Sequence, residues 1–516
     1  MSKRVSILLL CVLPLCGCIS SRLPYLPYQY GGLNEAPFEE EAGDGYFKRS
    51  EFATLSCVSG DLPNVPNETL SHGKRANIPS TGEQKLLVIP VDFEEYPGKE
   101  AQLSHIEQVF FGKDYPDQFP SVASYFEKSS YGRLQLKGGV DKAFFRPSAS
   151  YQSLAAKSGA ASTKTALEEI YAEAIAWHDA TFPEDPSEGY AFTHPITGVK
   201  IVPVYFVYTA PFATSSNGAD RSSMFWAFTI NSPAPISWSS YAMLYPSGNS
   251  VDSHTCIHET GHLFGLEDYY DTFQSGSFSR ISPLGRADMM DCSLGDENAF
   301  SKMFLNWIQP TFVTGSCELT LHQFAGNGEA AVVKANPNGT PFDEYLLIDF
   351  YSPTGLNRLD AKSRRDDAMR MINKSGVRIY HVDARLGVFF SGFVNPTAYF
   401  SPSTDLSGGY VLGLHNDNSG GQARDGRFSN DSYLIQLMDA SSDSSTFPEY
   451  FVASDKSASS GAVARRDVLF QKGDEFSKET YKDFSFHDGS AFTFSIHIDE
   501  VAADYAKVRF DFGESA

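Results

Sequence analysis

Basic side chains are scarce in this chain of 516 residues: 41 Lys and Arg stand against 63 Asp and Glu, a formal net charge of −22. A surface of that sign repels phosphate, so nucleic acid is excluded as a partner. Cysteine is sparse as well. There are seven, none in a Cys-x-x-Cys pair, which argues against a cysteine zinc cluster. After residue 18 no run reaches the roughly eighteen apolar residues of a membrane-spanning helix. The longest candidate, 201–208, is strand-sized and includes Pro203. No Gly-rich loop precedes a Lys-Ser or Lys-Thr, so nucleotide chemistry has no support. No internal repeat is visible.

Apolar residues are not lacking. They make up 42 % of the chain, enough for a sizeable core, which excludes a wholly disordered protein. The length suggests roughly two to four domains.

The N-terminus reads as an address. Lys3 and Arg4 precede an apolar run from Val5 to Leu15, the pattern of a secretory signal over 1–17. It ends Leu15-Cys16-Gly17-Cys18 and resembles the bacterial lipobox, which implies a lipid on Cys18 and a membrane anchor. The alternative is a plain signal peptide cut nearby. Residues 18–80 are rich in Pro, Gly, Ser and Asn and read as a tether or short pro-segment. Four cysteines remain beyond the anchor: Cys57, Cys256, Cys292 and Cys317. An exported compartment permits disulfides, and four cysteines allow three pairings.

From Lys85 the pattern changes. Strands are expected at 86–91, 134–140, 199–208 and 237–244, and short helices at 103–111 and 122–128. A longer amphipathic helix is expected at 162–177, with Leu167, Ile170, Ala174 and Trp177 on one face. After Pro310 short β-rich runs recur between Gly, Asn and Asp clusters: 318–321, 330–334, 345–350, 377–382, 433–437, 492–498 and 506–512. That spacing predicts a β-sandwich or similar antiparallel module over 311–516, after an α+β unit over 81–310.

One segment carries chemistry: His258-Glu259-x-x-His262-x-x-Gly265-x-x-Asp268. Residues four apart on a helix rise about 6 Å and lie about 40° apart, so His258 and His262 can converge on one Zn²⁺. Glu259 stands about 100° from His258 around the axis. That places it beside the metal, where it can take a proton from zinc-bound water. Gly265 tolerates the left-handed conformation that ends a helix, after which the chain can return Asp268 as third ligand. Three protein ligands and one open position define a catalytic site. His254 lies two turns from His262, about 12 Å along the axis, and reads as structural.

With those residues in view, the chain resembles the metzincin-type zinc metallopeptidases, specifically those similar to immune inhibitor A. Asp288-Met289-Met290-Asp291 looks like the Met-turn, with Met290 beneath the metal and Met289 as alternate. Residues 300–308 look like the helix closing the catalytic domain, and 86–93, 124–132, 345–348 and 376–383 resemble further family motifs. The resemblance implies an exported, surface-tethered zinc endopeptidase acting on proteins or peptides, with Glu259 as general base. It also implies a metzincin-like fold of mixed sheet and helices. Glu267 stands where family members often carry Pro, which makes it the runner-up ligand. Cys292 stands where several metzincins carry a metal-proximal Tyr, so an oxyanion-stabilising donor must come from elsewhere; Tyr269 and Tyr270 read as structural. In such a site Cys256 and Cys292 approach each other, although two separate buried thiols is the preferred reading.

Two weaker signals remain. Asp417-Asn418-Ser419-Gly420-Gly421 is similar to a serine-protease nucleophile loop but lacks the preceding Gly, and reads as a turn. Oxygen-bearing residues from Asn416 to Asp431 offer ligands for Ca²⁺, with a solvated loop preferred. The rival to an enzyme is an adhesin-like surface lipoprotein with an inactive peptidase domain. An intact Glu259 argues against it, since a decayed site need not keep its base.

Overall fold

The computed structural model describes residues 78–513 apart from internal stretches, the longest being 243–250, 271–282, 363–371, 402–409, 419–432 and 442–467. Upstream it describes 38–40 and 46–49. The fold is mixed α/β, with several sheets and few helices.

The first sheet has five strands, in the order Phe228–Asn231, Ser237–Ala242, Pro203–Tyr208, Gly82–Val91 and Leu134–Val140. The last four run parallel, and Phe228–Asn231 pairs antiparallel at the end of the sheet. The apolar runs at 86–91 and 203–208 are buried without alternation, as strands covered on both faces require. Leu86, Val88, Tyr205 and Val207 face one core, together with Ile106, Phe110 and Phe126 of the helices Glu100–Phe111 and Val122–Ser129. Leu87, Ile89, Val204 and Phe206 face another, covered by Ile170 and Ala174 of the helix Ala160–Thr181, with Trp177 packed against it.

The second sheet has seven strands, in the order Phe38–Glu40, Tyr46–Arg49, Thr311–Val313, Ala330–Val333, Glu344–Tyr351, Gly376–Asp383 and Ile435–Leu437. Its central strands are also buried on both faces. Tyr345, Leu347, Tyr380 and Val382 join the same core as the first sheet. Leu346, Ile348, Val377 and Ile379 form a separate core with a four-stranded antiparallel sheet built largely from Phe494–Val501 and Tyr505–Phe512. Within the stretch expected to be a tether, the first two strands form a hairpin whose second strand pairs with Thr311–Val313. The β-rich character after 310 agrees with the expected runs at nearly every position. The apolar core, however, passes across residue 310 without a break, through Trp307, Ile308 and Phe312. Trp307 Nε1 also donates to the Ser80 carbonyl at 2.7 Å.

Candidate metal centre

The motif lies on the helix Ser253–Leu263, which packs against the strands Phe228–Asn231 and Ser237–Ala242. Ile257, Leu263 and the following Phe264 sit in the core, which fixes the roll of the helix about its axis. Gly265 ends it with φ +98°, and its N–H bonds back to the His262 carbonyl at 2.9 Å. The chain then reverses, as the glycine predicts.

That reversal brings Asp268 to the two histidines. Its Oδ1 is 3.1 Å from His258 Nε2 and 3.4 Å from His262 Nε2. The ligand atoms of all three residues lie within 4.8 Å of one another, and all three side chains are buried. Each imidazole spends its other nitrogen on the backbone. His258 Nδ1 meets the Met289 carbonyl at 3.0 Å and His262 Nδ1 the Leu266 carbonyl at 2.7 Å. A carbonyl only accepts, so both Nδ1 atoms carry a proton, and the Nε2 of each ring, turned toward Asp268, is the atom that can ligate a metal.

This donor set fits zinc. With bonds near 2.0–2.2 Å, tetrahedral ligands stand roughly 3.3 Å apart, close to the separations found here. Burial alone would raise the Asp268 pKa, but the two imidazoles hold it below the ordinary carboxylate range. Burial would likewise lower His262, which Asp268 instead pushes up to about 9. The three groups attract one another in the way a cation would replace. Glu267, the runner-up, is buried but stands outside this cluster. His254 is also outside it, its Nε2 bonded to the Ser293 carbonyl at 2.7 Å.

Glu259 is 2 % exposed, and burial pushes its pKa up to about 7. Thr229 Oγ1 lies 2.8 Å from the Glu259 carbonyl oxygen and 3.1 Å from its Oε2, and donates to either. Thr229 escapes sequence reasoning because it lies on a separate strand, with no spacing rule that links it to the motif.

Met290 is fully buried under the helix, and a Cβ built on Gly261 would meet its sulfur. The Asp288 carboxylate shapes the turn, accepting from Met290 N at 2.8 Å and from Asn298 N at 2.7 Å. Met290 O in turn accepts from Tyr269 N at 2.9 Å. Tyr269 is buried with its hydroxyl on Ser301 Oγ, the structural role expected of it. The Tyr270 ring lies at 29° to that of His258, with 6.4 Å between centroids.

Asn418, from the nucleophile-like loop, is a buried staple whose Nδ2 donates to the Ile435 carbonyl at 2.8 Å. Its neighbours Asp417 and Ser419 lie outside the described residues, as do Cys18, Cys57, Cys292 and most of the segment considered for Ca²⁺. Among the described residues no helix is long and apolar enough to cross a membrane. Compared with known proteins, the chain matches no family model and no curated protein.

Proposed function

We propose that this protein is an exported, surface-tethered zinc endopeptidase. The reading rests on one observation above all: two Nε2 atoms face a single Asp268 oxygen, each imidazole being oriented through its other nitrogen. His258, His262 and Asp268 hold the ion. Zinc bound by three protein ligands supplies Lewis acidity toward a carbonyl and acidifies water at its open position.

Glu259 precedes the ligands' shared face and acts as general base. A pKa raised to about 7 by burial suits that task, because a base works best near the operating pH. It accepts the proton of the attacking water and passes it to the departing amine. Thr229 holds the carboxylate through Oε2 and so limits its rotation. Met290 and the Asp288 turn keep the helix floor rigid.

In this reading 81–310 is a metzincin-like catalytic unit, and the region after 311 is a sandwich-like support. The anchor is a lipid on Cys18, and the substrates are extracellular proteins or peptides. Metal analysis with peptide-library cleavage on the purified ectodomain tests it. Zinc bound to the parent and reduced by one equivalent in a His258→Ala/His262→Ala chain, with cleavage abolished by chelation, is the expected outcome. A chain that cleaves equally well without metal overturns it.

A further inference from the structure

A second convergence of two imidazoles and a carboxylate lies far along the chain from the motif. Glu344, His381 and His487 bring one ligand atom each within 4.8 Å of one another. Glu344 opens the strand Glu344–Tyr351, and Asp383 lies directly opposite it on Gly376–Asp383. His381 is two residues before Asp383, so strand alternation puts all three on one face of the seven-stranded sheet. His487 comes from the loop that leads into Phe494–Val501 of the other sheet.

The carboxylate is held in one orientation. Glu344 Oε1 accepts from the His487 backbone N–H at 2.7 Å, and Oε2 from the Asp488 N–H at 2.7 Å. His381 Nε2 stands 2.8 Å from Oε1, and His487 Nδ1 stands 3.5 Å from the same oxygen. One lone pair of Oε1 is spent on a backbone N–H and His381 Nε2 is the nearer imidazole, so without an ion His487 Nδ1 turns to Asp383 Oδ2, 3.4 Å away. One cation resting on the remaining lone pair, with both imidazoles turned to it as ligands, satisfies all three groups.

The charge around the group points the same way. Glu344 and Asp383 face Arg385, which binds Asp383 at 2.7 and 2.8 Å and stands 3.5 Å from Glu344. Asp343 and Asp488 face Lys334 at 2.6 Å each. Among the described residues these four carboxylates face two cations, so with neutral imidazoles the group carries a net negative charge.

We propose that Glu344, His381 and His487 bind a second divalent cation of the zinc type. Two imidazoles and a carboxylate are the donor set that borderline metals prefer over Ca²⁺ or Mg²⁺. The site joins the loop at 487 to the central sheet, and its role is structural: it locks the four-stranded sheet in place. His487 keeps 24 % of its side chain exposed, which gives the ion a route of entry.

The test removes the first site. A full-length His258→Ala/His262→Ala chain is stripped with chelator and titrated with Zn²⁺. One equivalent of zinc is expected, with a rise of a few degrees in the thermal midpoint. Adding His487→Ala, a rim substitution that leaves the sheets untouched, abolishes both effects, and Glu344→Gln in place of His487→Ala does the same. A hydrogen-bonded network without metal predicts no zinc in the starting variant. That result, or zinc uptake unchanged by both removals, overturns the proposal. Neither depends on peptidase activity.

Discussion

A Cβ built on Gly261 would stand 2.6 Å from Met290 Sδ, so the motif helix and the turn beneath it meet with no room for a methyl group. In an open helix Gly→Ala is stabilising by about 1 kcal/mol. Here the sign should reverse. Met290 is 0 % exposed, so its thioether can give way only by displacing core neighbours, and overpacking of this kind costs about 1–3 kcal/mol. Chemical denaturation of Gly261→Ala should show that loss. Met290→Ala in the same chain should recover part of it, a coupling measured by a double-mutant cycle. Additive losses would mean that the two residues do not touch.

The third ligand can be assigned by metal content. Asp268→Ala removes the oxygen shared by both histidines and should lower zinc per chain, while Glu267→Ala should leave it at the level of the parent. The reverse pattern would move the ligand to Glu267.

A pH-dependent term in stability is expected from His415. Its ring is buried and stacked on Tyr399 at 3.7 Å between centroids, and burial lowers its pKa from 6.5 to about 4. The unfolded chain takes up this proton as pH falls below 6.5, whereas the folded chain resists until about 4. The contribution is therefore complete above pH 6.5 and lost as pH falls through that window, with a ceiling of about 3 kcal/mol. His415→Phe should flatten the curve of unfolding free energy between those values relative to the parent. Parallel curves for the two chains would show that the ring does not titrate this way.

The N-terminal anchor makes a prediction about location. Cys18→Ser removes the residue that takes the lipid and should release the protein from membranes into the soluble exported fraction, read by fractionation and immunoblot. Continued membrane attachment would exclude the lipid on Cys18.

Much of the local structure is legible in the sequence because it is decided locally. The unbroken apolar runs at 86–91 and 203–208 announce strands covered on both faces, and Gly265 announces the reversal that delivers Asp268. His258, His262 and Asp268 stand within eleven residues of one another, so spacing alone groups them. Other features depend on tertiary placement. The short strand Phe228–Asn231 has too little pattern to announce itself, and with it Thr229, the partner of Glu259, goes unseen. Glu344, His381 and His487 are gathered from two strands and a distant loop, so no local motif marks them. The hairpin at 38–40 and 46–49 sits in a Pro- and Gly-rich stretch, and its second strand pairs with Thr311–Val313, a partner more than 260 residues away that no local pattern announces.

The central claim is that Glu259 moves the proton while the histidines and Asp268 hold the metal, and Glu259→Gln separates these roles most directly. The substitution keeps shape and hydrogen bonding but removes the proton acceptor. Zinc per chain should equal that of the parent, while hydrolysis of a cleaved peptide should fall by about 10²- to 10⁴-fold. Turnover unchanged at full zinc content would contradict the account.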